Sequence, residues 1–124
     1  MEKIYTKNAP EAIGPYSQAV KVGNLIFTSG QIAIVPESMQ VQSDDIAGQT
    51  EQVCKNLCAV LNAAGTSIEN AIKTTCFLAD MNDFAAFNEI YSKYFTSKPA
   101  RSCVAVKTLP KNVLVEIEAI AEIL

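Results

Sequence analysis

The sequence contains no histidine, and this absence removes several common kinds of active site. Histidine is the usual general base near neutral pH, the partner of nucleophilic serine and cysteine, and a frequent zinc ligand. Any acid–base chemistry must therefore come from Glu, Asp, Lys, Tyr or Cys side chains, or from ordered water. Arginine is nearly absent too, because Arg101 is the only one and every other basic residue is a lysine.

Long apolar runs are also missing. The N-terminus lacks the apolar core of roughly 7–15 residues that a secretory signal needs, and no run approaches the ~18 apolar residues of a membrane helix. We therefore expect a cytoplasmic protein whose cysteines are reduced thiols, namely Cys54, Cys58, Cys76 and Cys103. A net charge of −3 offers no basic footprint for nucleic acid, and 124 residues predict a single domain spanning residues 1–124.

Hydrophobic periodicity predicts strands and a helix in the first half of the chain. The segment "YSQAVKVGNLIFTSGQI" predicts a β-hairpin around a Gly-Asn turn, and the polar "PESMQVQSDD" predicts a loop. An amphipathic helix is expected from about Ile46, capped by Asp44 or Asp45 and ended by Gly65.

The second half repeats the alternation. "AIKTTCFLA" predicts a strand, and "DMNDFAAFNEIYSKYF" a helix capped by Asp80, Asn82 or Asp83, with an aromatic buried face made of Phe84, Phe87, Tyr91 and Tyr94 or Phe95. "ARSCVAVKTL" and "VLVEIEAIAEI" predict two further strands separated by a turn at 110–112, and "KIYT" allows a short leading strand. The order β-β-α-β-α-β-β predicts an α+β fold, a single sheet with two helices on one face.

The last strand indicates how the protein assembles. Strand alternation separates a wholly apolar face (Val113, Val115, Ile117, Ala119, Ala121) from a mixed face (Leu114, Glu116, Glu118, Ile120). Two helices cover only one face of such a sheet, so the mixed face would leave large apolar side chains exposed. We therefore expect a homo-oligomer that packs these faces together, with pockets between subunits.

Alternation along "PARSCVAV" places Arg101 and Cys103 on one face of their strand. If this strand pairs with the last one, Arg101, Cys103 and Glu116 or Glu118 converge on the uncovered face. Such a group could bind a carboxylate through the guanidinium fork and activate water through a glutamate. An Arg–Glu ion pair that only satisfies buried charge explains the same spacing, and spacing alone slightly favours it.

The cysteines are interpreted as packing residues. Cys103 has no histidine partner to activate it as a nucleophile, so a small buried hydrophobe is the favoured role. Cys54 and Cys58 are four residues apart on a helix, but no histidine or second cysteine pair completes a metal site. No metal is therefore expected.

Four segments together resemble the Rid family of reactive-intermediate deaminases, in its RidA subgroup, and they cover nearly the whole chain: "IGPYSQAVKVGNLIFTSGQI", "AAGTSIENAIKTTCFLADMNDFAAFNEIY", "PARSCVAV" and "LPKNVLVEIEAIA". The resemblance implies a chorismate-mutase-like fold and a homotrimer whose sheets face inward, with clefts between subunits. It also implies cofactor-free hydrolysis of 2-imino acids, such as 2-iminobutanoate and 2-iminopropanoate, to 2-oxo acids and ammonia.

The resemblance also assigns roles to residues. It makes Arg101 the carboxylate ligand and Glu116 the residue that activates water, and it adds five residues around the substrate: Cys103, Tyr16, Ser29, Gly30 and Asn88. One departure is the short "TSK" between Phe95 and Pro99, where many relatives have a longer loop. This difference alters the rim of the cleft and bears on substrate size.

Three other functions compete with the deaminase. An endoribonuclease or translation inhibitor is suggested by older names for similar proteins, but the chain lacks histidine and a basic groove. A non-catalytic trimer that binds small carboxylates would use Arg101 but gain nothing from a nearby Glu116. A holdase-like chaperone finds no support beyond apolar interface faces.

Overall fold

The computed structural model describes all residues from 1 to 124, and the predicted elements form in the predicted order. The strands are β1 (Glu2–Ile4), β2 (Ala19–Val22), β3 (Leu25–Thr28), β4 (Ile34–Val35), β5 (Gln40–Val41), β6 (Ala71–Leu78), β7 (Ala100–Ala105) and β8 (Val115–Glu122). The helices are α1 (Ile46–Ala63) and α2 (Phe84–Tyr94), with single 3₁₀ turns at Ile68–Asn70, Met81–Asp83 and Pro110–Asn112. The α+β class is confirmed.

The main sheet has the strand order β1-β2-β3-β8-β6-β7. All neighbours are antiparallel except β6 and β7, which run parallel because α2 returns the chain to the starting edge. The prediction that β7 pairs with β8 is wrong. β6 lies between them, with Thr74 opposite Arg101 on one side and Phe77 opposite Glu116 on the other.

The ends of α1 follow from local chemistry. Asp45 is the N-cap, and its carboxylate accepts a 2.7 Å hydrogen bond from the Gly48 amide, as predicted. Gly65 follows the helix at φ +89°, a conformation that only glycine adopts without strain. The apolar stripe of α1, including Val53, Leu57 and Leu61, is fully buried against the sheet.

Both helices cover the same face of the sheet. Val115, Ile117 and Ala121 of β8 are buried beneath them, as their alternation predicts. The opposite face carries no helix, and its large side chains include Phe27, which is 37 % exposed. In each chain, one face of the sheet is therefore covered by the two helices and the other is left uncovered.

The segment predicted as a polar loop, 36–45, contains β5, which forms a hairpin with β4 just before it, with two residues in each strand. Its position depends on Asn56, whose buried amide donates hydrogen bonds of 3.1 and 2.9 Å to the carbonyls of Ile32 and Ile34. A buried amide needs such partners, so α1 fixes this hairpin beside the sheet. Neither helix combines the length and apolarity that crossing a membrane requires.

Candidate active site

Arg101 lies on β7 at the edge of the sheet, and α2 holds its side chain. The guanidinium carbon is 4.8 Å from the centre of the Tyr91 ring and 5.4 Å from that of Phe84. Nη1 donates a 2.8 Å hydrogen bond to Oδ1 of Asn88. Aromatic faces attract the cation, and Asn88 fixes its rotation. Because the other guanidinium donors have no protein acceptor, they are available to an anion.

The cradle around Arg101 is one face of α2. Phe84, Asn88 and Tyr91 follow each other at steps of four and three residues, so they project from the same side of the helix. Tyr91 is buried, and its hydroxyl lies 2.7 Å from that of Thr74 on β6. The sequence predicted Phe84 for the buried face of α2 and Tyr91 for the core or an interface, and it did not predict that either ring would contact Arg101. The signal for their second role was the polar Asn88 inside an apolar stripe.

Glu116 lies on the opposite, helix-free face of the sheet. Its carboxylate is half-buried and has no hydrogen-bond partner in the protein. Burial raises the pKa of Glu116 above the usual glutamate range, and the negative charge of Glu118, two residues along the same face, raises it further. A carboxylate in this environment is a stronger base than one in water and is free to accept a proton.

An open cavity of about 430 Å³ surrounds Glu116, and Tyr16, Ser29 and Gly30 line it. The chain here runs close to β8, because Gln31 and Ile117 exchange backbone hydrogen bonds of 2.9 and 3.1 Å. A side chain at position 30 would overlap the Glu116 carboxylate, since its Cβ would lie 2.9 Å from the carboxyl carbon. Glycine at position 30 thus leaves room for the Glu116 carboxylate, which a larger residue would have to displace, whereas its backbone angles do not call for glycine.

Gln18 organises this cavity and was missed by sequence analysis. The side chain is 2 % exposed; it accepts from the Thr6 amide at 2.7 Å and donates to the carbonyls of Thr6 and Pro10 at 3.0 and 2.8 Å. The backbone carbonyl of Gln18 accepts a 2.9 Å hydrogen bond from the backbone amide of Ser29. Gln18 thereby ties the first ten residues to the cavity wall. Gln18 directly precedes β2, and a polar glutamine beside the apolar residues of this strand was the available signal.

The half-buried Cys103 lies beside Arg101 on β7, opposite the buried Cys76 of β6. Burial raises the pKa of Cys103, and Arg101 offsets only part of this effect. Burial likewise raises the pKa of Cys76 to about 12. Thiols of this kind are neutral near pH 7, which matches the predicted role as small packing groups.

The structure separates the predicted site residues into two groups. Arg101, Cys103 and Asn88 lie with α2, whereas Glu116 lies across the sheet with the residues of its cavity. The prediction that Arg101 and Glu116 converge on the uncovered face of one chain is therefore wrong. They alternate onto opposite faces and are separated by β6. A single chain therefore does not bring Arg101 and Glu116 together in one site.

Histidine, cysteine and carboxylate side chains form no cluster of three or more with which a metal ion could be held. The chemistry that the two groups themselves offer is anion binding at Arg101 and proton transfer at Glu116. An arginine side chain can bind an anion and a glutamate side chain can transfer a proton without any other group.

Comparison with known proteins gives a consistent result. The endoribonuclease L-PSP family model matches residues 6–123. A RutC family protein of Pyrococcus horikoshii is 56 % identical, with 97 % of this chain and 96 % of that protein covered. Reactive Intermediate Deaminase A of Arabidopsis thaliana is 48 % identical over 97 % of this chain and 65 % of that longer protein.

Among solved structures, Escherichia coli TdcF with bound serine superposes with a TM-score of 0.93 at 44 % identity, covering 98 % of both chains. The fold, the sequence identity and the nearly complete coverage all agree with the resemblance noted from the motifs. The chain belongs to the endoribonuclease L-PSP family, which includes the Rid proteins.

Proposed function

We propose that the protein hydrolyses reactive 2-imino acids, such as 2-iminobutanoate and 2-iminopropanoate, to 2-oxo acids and ammonia. The proposal rests on Arg101. Asn88 and Tyr91 hold its guanidinium group in place, and its remaining N–H donors have no partner in the protein. A 2-imino acid carries a carboxylate next to its C=N carbon. Binding that carboxylate in a planar fork would set the orientation of the electrophilic carbon.

Glu116 supplies the second requirement. Its carboxylate would take one proton from water as the water oxygen bonds to the carbon of the protonated imine, giving a neutral carbinolamine. Return of that proton to nitrogen would make ammonia the leaving group. As the C–N bond breaks, the carbinolamine hydroxyl would give its proton back to Glu116, and the 2-oxo acid would form. Imines hydrolyse readily in water, so positioning and one base are sufficient and no cofactor is invoked.

The two groups would meet between copies of the chain. Phe27, Phe77 and Ile120 leave the helix-free face partly apolar, which suits burial against another copy. We infer a homotrimer with inward-facing sheets, in which Arg101 of one copy and Glu116 of the next form each site. Closed rotational symmetry then gives as many complete sites as chains.

A mixing experiment tests the composite site. Arg101→Ala and Glu116→Ala should each be inactive, but trimers formed from equal amounts of the two should regain about one quarter of wild-type activity, because a quarter of their sites pair two intact residues. Formation of the 2-oxo acid would be followed while threonine dehydratase generates the imine. Equally mixed trimers without activity would contradict a site shared between copies, and full activity of either single variant would contradict the proposed chemistry.

The endoribonuclease named in the family description remains the alternative. RNA cleavage needs a general acid and base, and RNA binding needs a basic surface. The chain has no histidine and a net charge of −3, so its composition favours the deaminase over the ribonuclease. RNA cleavage that disappears in both Arg101→Ala and Glu116→Ala would favour the alternative.

The pH dependence should report the raised pKa of Glu116. The base must be ionised, so kcat/KM should fall as the pH decreases through this pKa. Glu118→Gln removes the neighbouring negative charge, lowers the pKa of Glu116 and should move the acidic limb to lower pH. Glu122→Gln on the same strand is the control and should leave the limb in place. If the pH at which kcat/KM falls on the acidic side is unchanged or higher in Glu118→Gln, Glu116 does not have this role.

Gly30→Ala should lose activity without losing the fold. The new methyl group must displace the Glu116 carboxylate, the mobile end of a side chain, and misplacing a reacting group by about 1 Å costs on the order of 100-fold. Gly23→Ala is the control for a backbone effect, because it should lower stability and leave activity unchanged. Its Cβ would meet nothing within 4 Å, but φ is +61°, so stability should fall by about 1 kcal/mol while activity is kept. Thermal unfolding and steady-state rates separate the two outcomes.

A further inference from the structure

A second cation lines the cleft that contains Arg101. The cleft has a volume of about 460 Å³, and both Lys98 and Arg101 line it. The remaining lining residues are neutral, including Ser92 and Thr96 with their hydroxyl groups, and no carboxylate is among them. Two cations without an acidic neighbour make this cleft attractive to anions.

The backbone holds Lys98 in this place. The loop from 96 to 98 is tied to the sheet because the Ser97 hydroxyl donates a 2.8 Å hydrogen bond to the Ala71 carbonyl. The Lys98 amide donates to the carbonyl of Phe95 at 3.2 Å, and Pro99 follows directly. Lys98 adopts φ +53°, which is unusual for a residue with a side chain and occurs in few non-glycine positions. The short loop therefore fixes the origin of this side chain.

The spacing suits two anionic groups on one small molecule. Lys98 and Arg101 are three residues apart, so their Cα atoms lie no more than about 11 Å from each other. Lysine has a flexible stem, so its ammonium group can follow the second carboxylate of a small diacid while the guanidinium group stays fixed. Arg101 itself is held by α2 and would keep the carboxylate next to the imine.

We propose that Lys98 selects 2-imino dicarboxylic acids of four or five carbons, binding the distal carboxylate while Arg101 binds the one beside the C=N bond. This inference rests on the proposed deaminase function, and it adds the substrate class. Lys98 would act through charge on the part of the substrate that does not react. It would therefore change selectivity between substrates rather than the chemical step.

Inert acids test the inference without catalysis. Succinate should bind the wild-type protein roughly tenfold more tightly than butanoate, as measured by calorimetry, because a charged hydrogen bond is worth about that factor. Lys98→Met, which keeps an unbranched side chain without the charge, should abolish the difference, and Lys98→Arg should keep it. Lys93→Met on the exposed side of α2 is the control and should retain the wild-type preference. Equal binding of the two acids to the wild type, or a preference that survives in Lys98→Met, would overturn the proposal.

Turnover distinguishes this inference from the function on which it rests. The ratio of kcat/KM for four-carbon dicarboxylic over monocarboxylic 2-imino acids should fall about tenfold in Lys98→Met. If monocarboxylic imines are hydrolysed in an Arg101-dependent manner but dicarboxylic imines are not preferred, only the role of Lys98 fails. If neither class is hydrolysed, the deaminase proposal itself fails.

Discussion

Glu116→Gln is expected to lower kcat for 2-imino acid hydrolysis by roughly 10²–10⁴-fold, the usual contribution of a general base. The amide is close in size to the carboxylate but cannot take a proton from water. KM should stay the same or fall, because the substrate carboxylate is bound by Arg101 and the substitution removes a nearby negative charge. Rates measured at saturating imine supply, with the 2-oxo acid as readout, separate these two effects.

Glu118→Gln is the matched control for this loss. Glu118 shares the strand and the face of Glu116 but is exposed and lies outside the Glu116 cavity. At pH values well above the acidic limb it should retain nearly full activity. Comparable losses in the two variants would point to a general effect of charge on this face, and Glu116 would then not be the base.

Arg101→Lys should lower kcat/KM by about 10–100-fold, although it keeps the positive charge. A charged hydrogen bond contributes about 1.5–3 kcal/mol, and the ammonium group cannot reproduce the two parallel bonds of the fork. It also loses the planar stacking on Tyr91 and Phe84 that fixes the orientation of the cation. Much of the loss should appear in KM, because the carboxylate contact already exists in the ground state.

Arg101→Met provides the reference for complete loss of the cation. If lysine performs as well as arginine, charge alone suffices and the fork geometry is irrelevant. If lysine performs no better than methionine, orientation accounts for the whole contribution. The prediction is an intermediate activity, and oligomeric state should be checked in each variant because the site is proposed to form between copies.

The sequence was sufficient to predict the two helices, the strands of the main sheet and the buried face of that sheet, although it missed the small β4–β5 hairpin. Alternation along β8 correctly separated Val115 and Ile117 from Glu116, because burial on one face of a strand follows a period of two. The caps of α1 were equally local, since Asp45 and Gly65 act within one turn of the chain. Such features depend on neighbouring residues and can be read from the sequence directly.

The position of β7 could not be obtained in this way. Strands that are adjacent in sequence often pair, and that rule led to the wrong pairing of β7 with β8. A competing rule applied, because a strand, a helix and a strand in succession favour a parallel pair, which here is β6 with β7. Which rule prevails depends on how the sheet as a whole buries its apolar surface.

The contacts of Arg101 with α2 could not be predicted from the sequence either. The rotation of α2 about its axis, relative to β7, decides whether Tyr91 and Phe84 meet the core or the guanidinium group. In fact Tyr91 meets both, since its ring also stacks on Phe95 at 4.4 Å. Spacing identified which residues share a helical face, but not what that face touches.

Gln18 has a practical consequence for handling the protein. The buried amide receives its partners from Thr6 and Pro10, so the leading residues are part of the wall that supports Ser29. A shortened version beginning after Pro10 would leave that amide without acceptors in a buried position. Residues 1–10 are thus a structural element of the cavity around Glu116, and any shortened version of the protein should keep them.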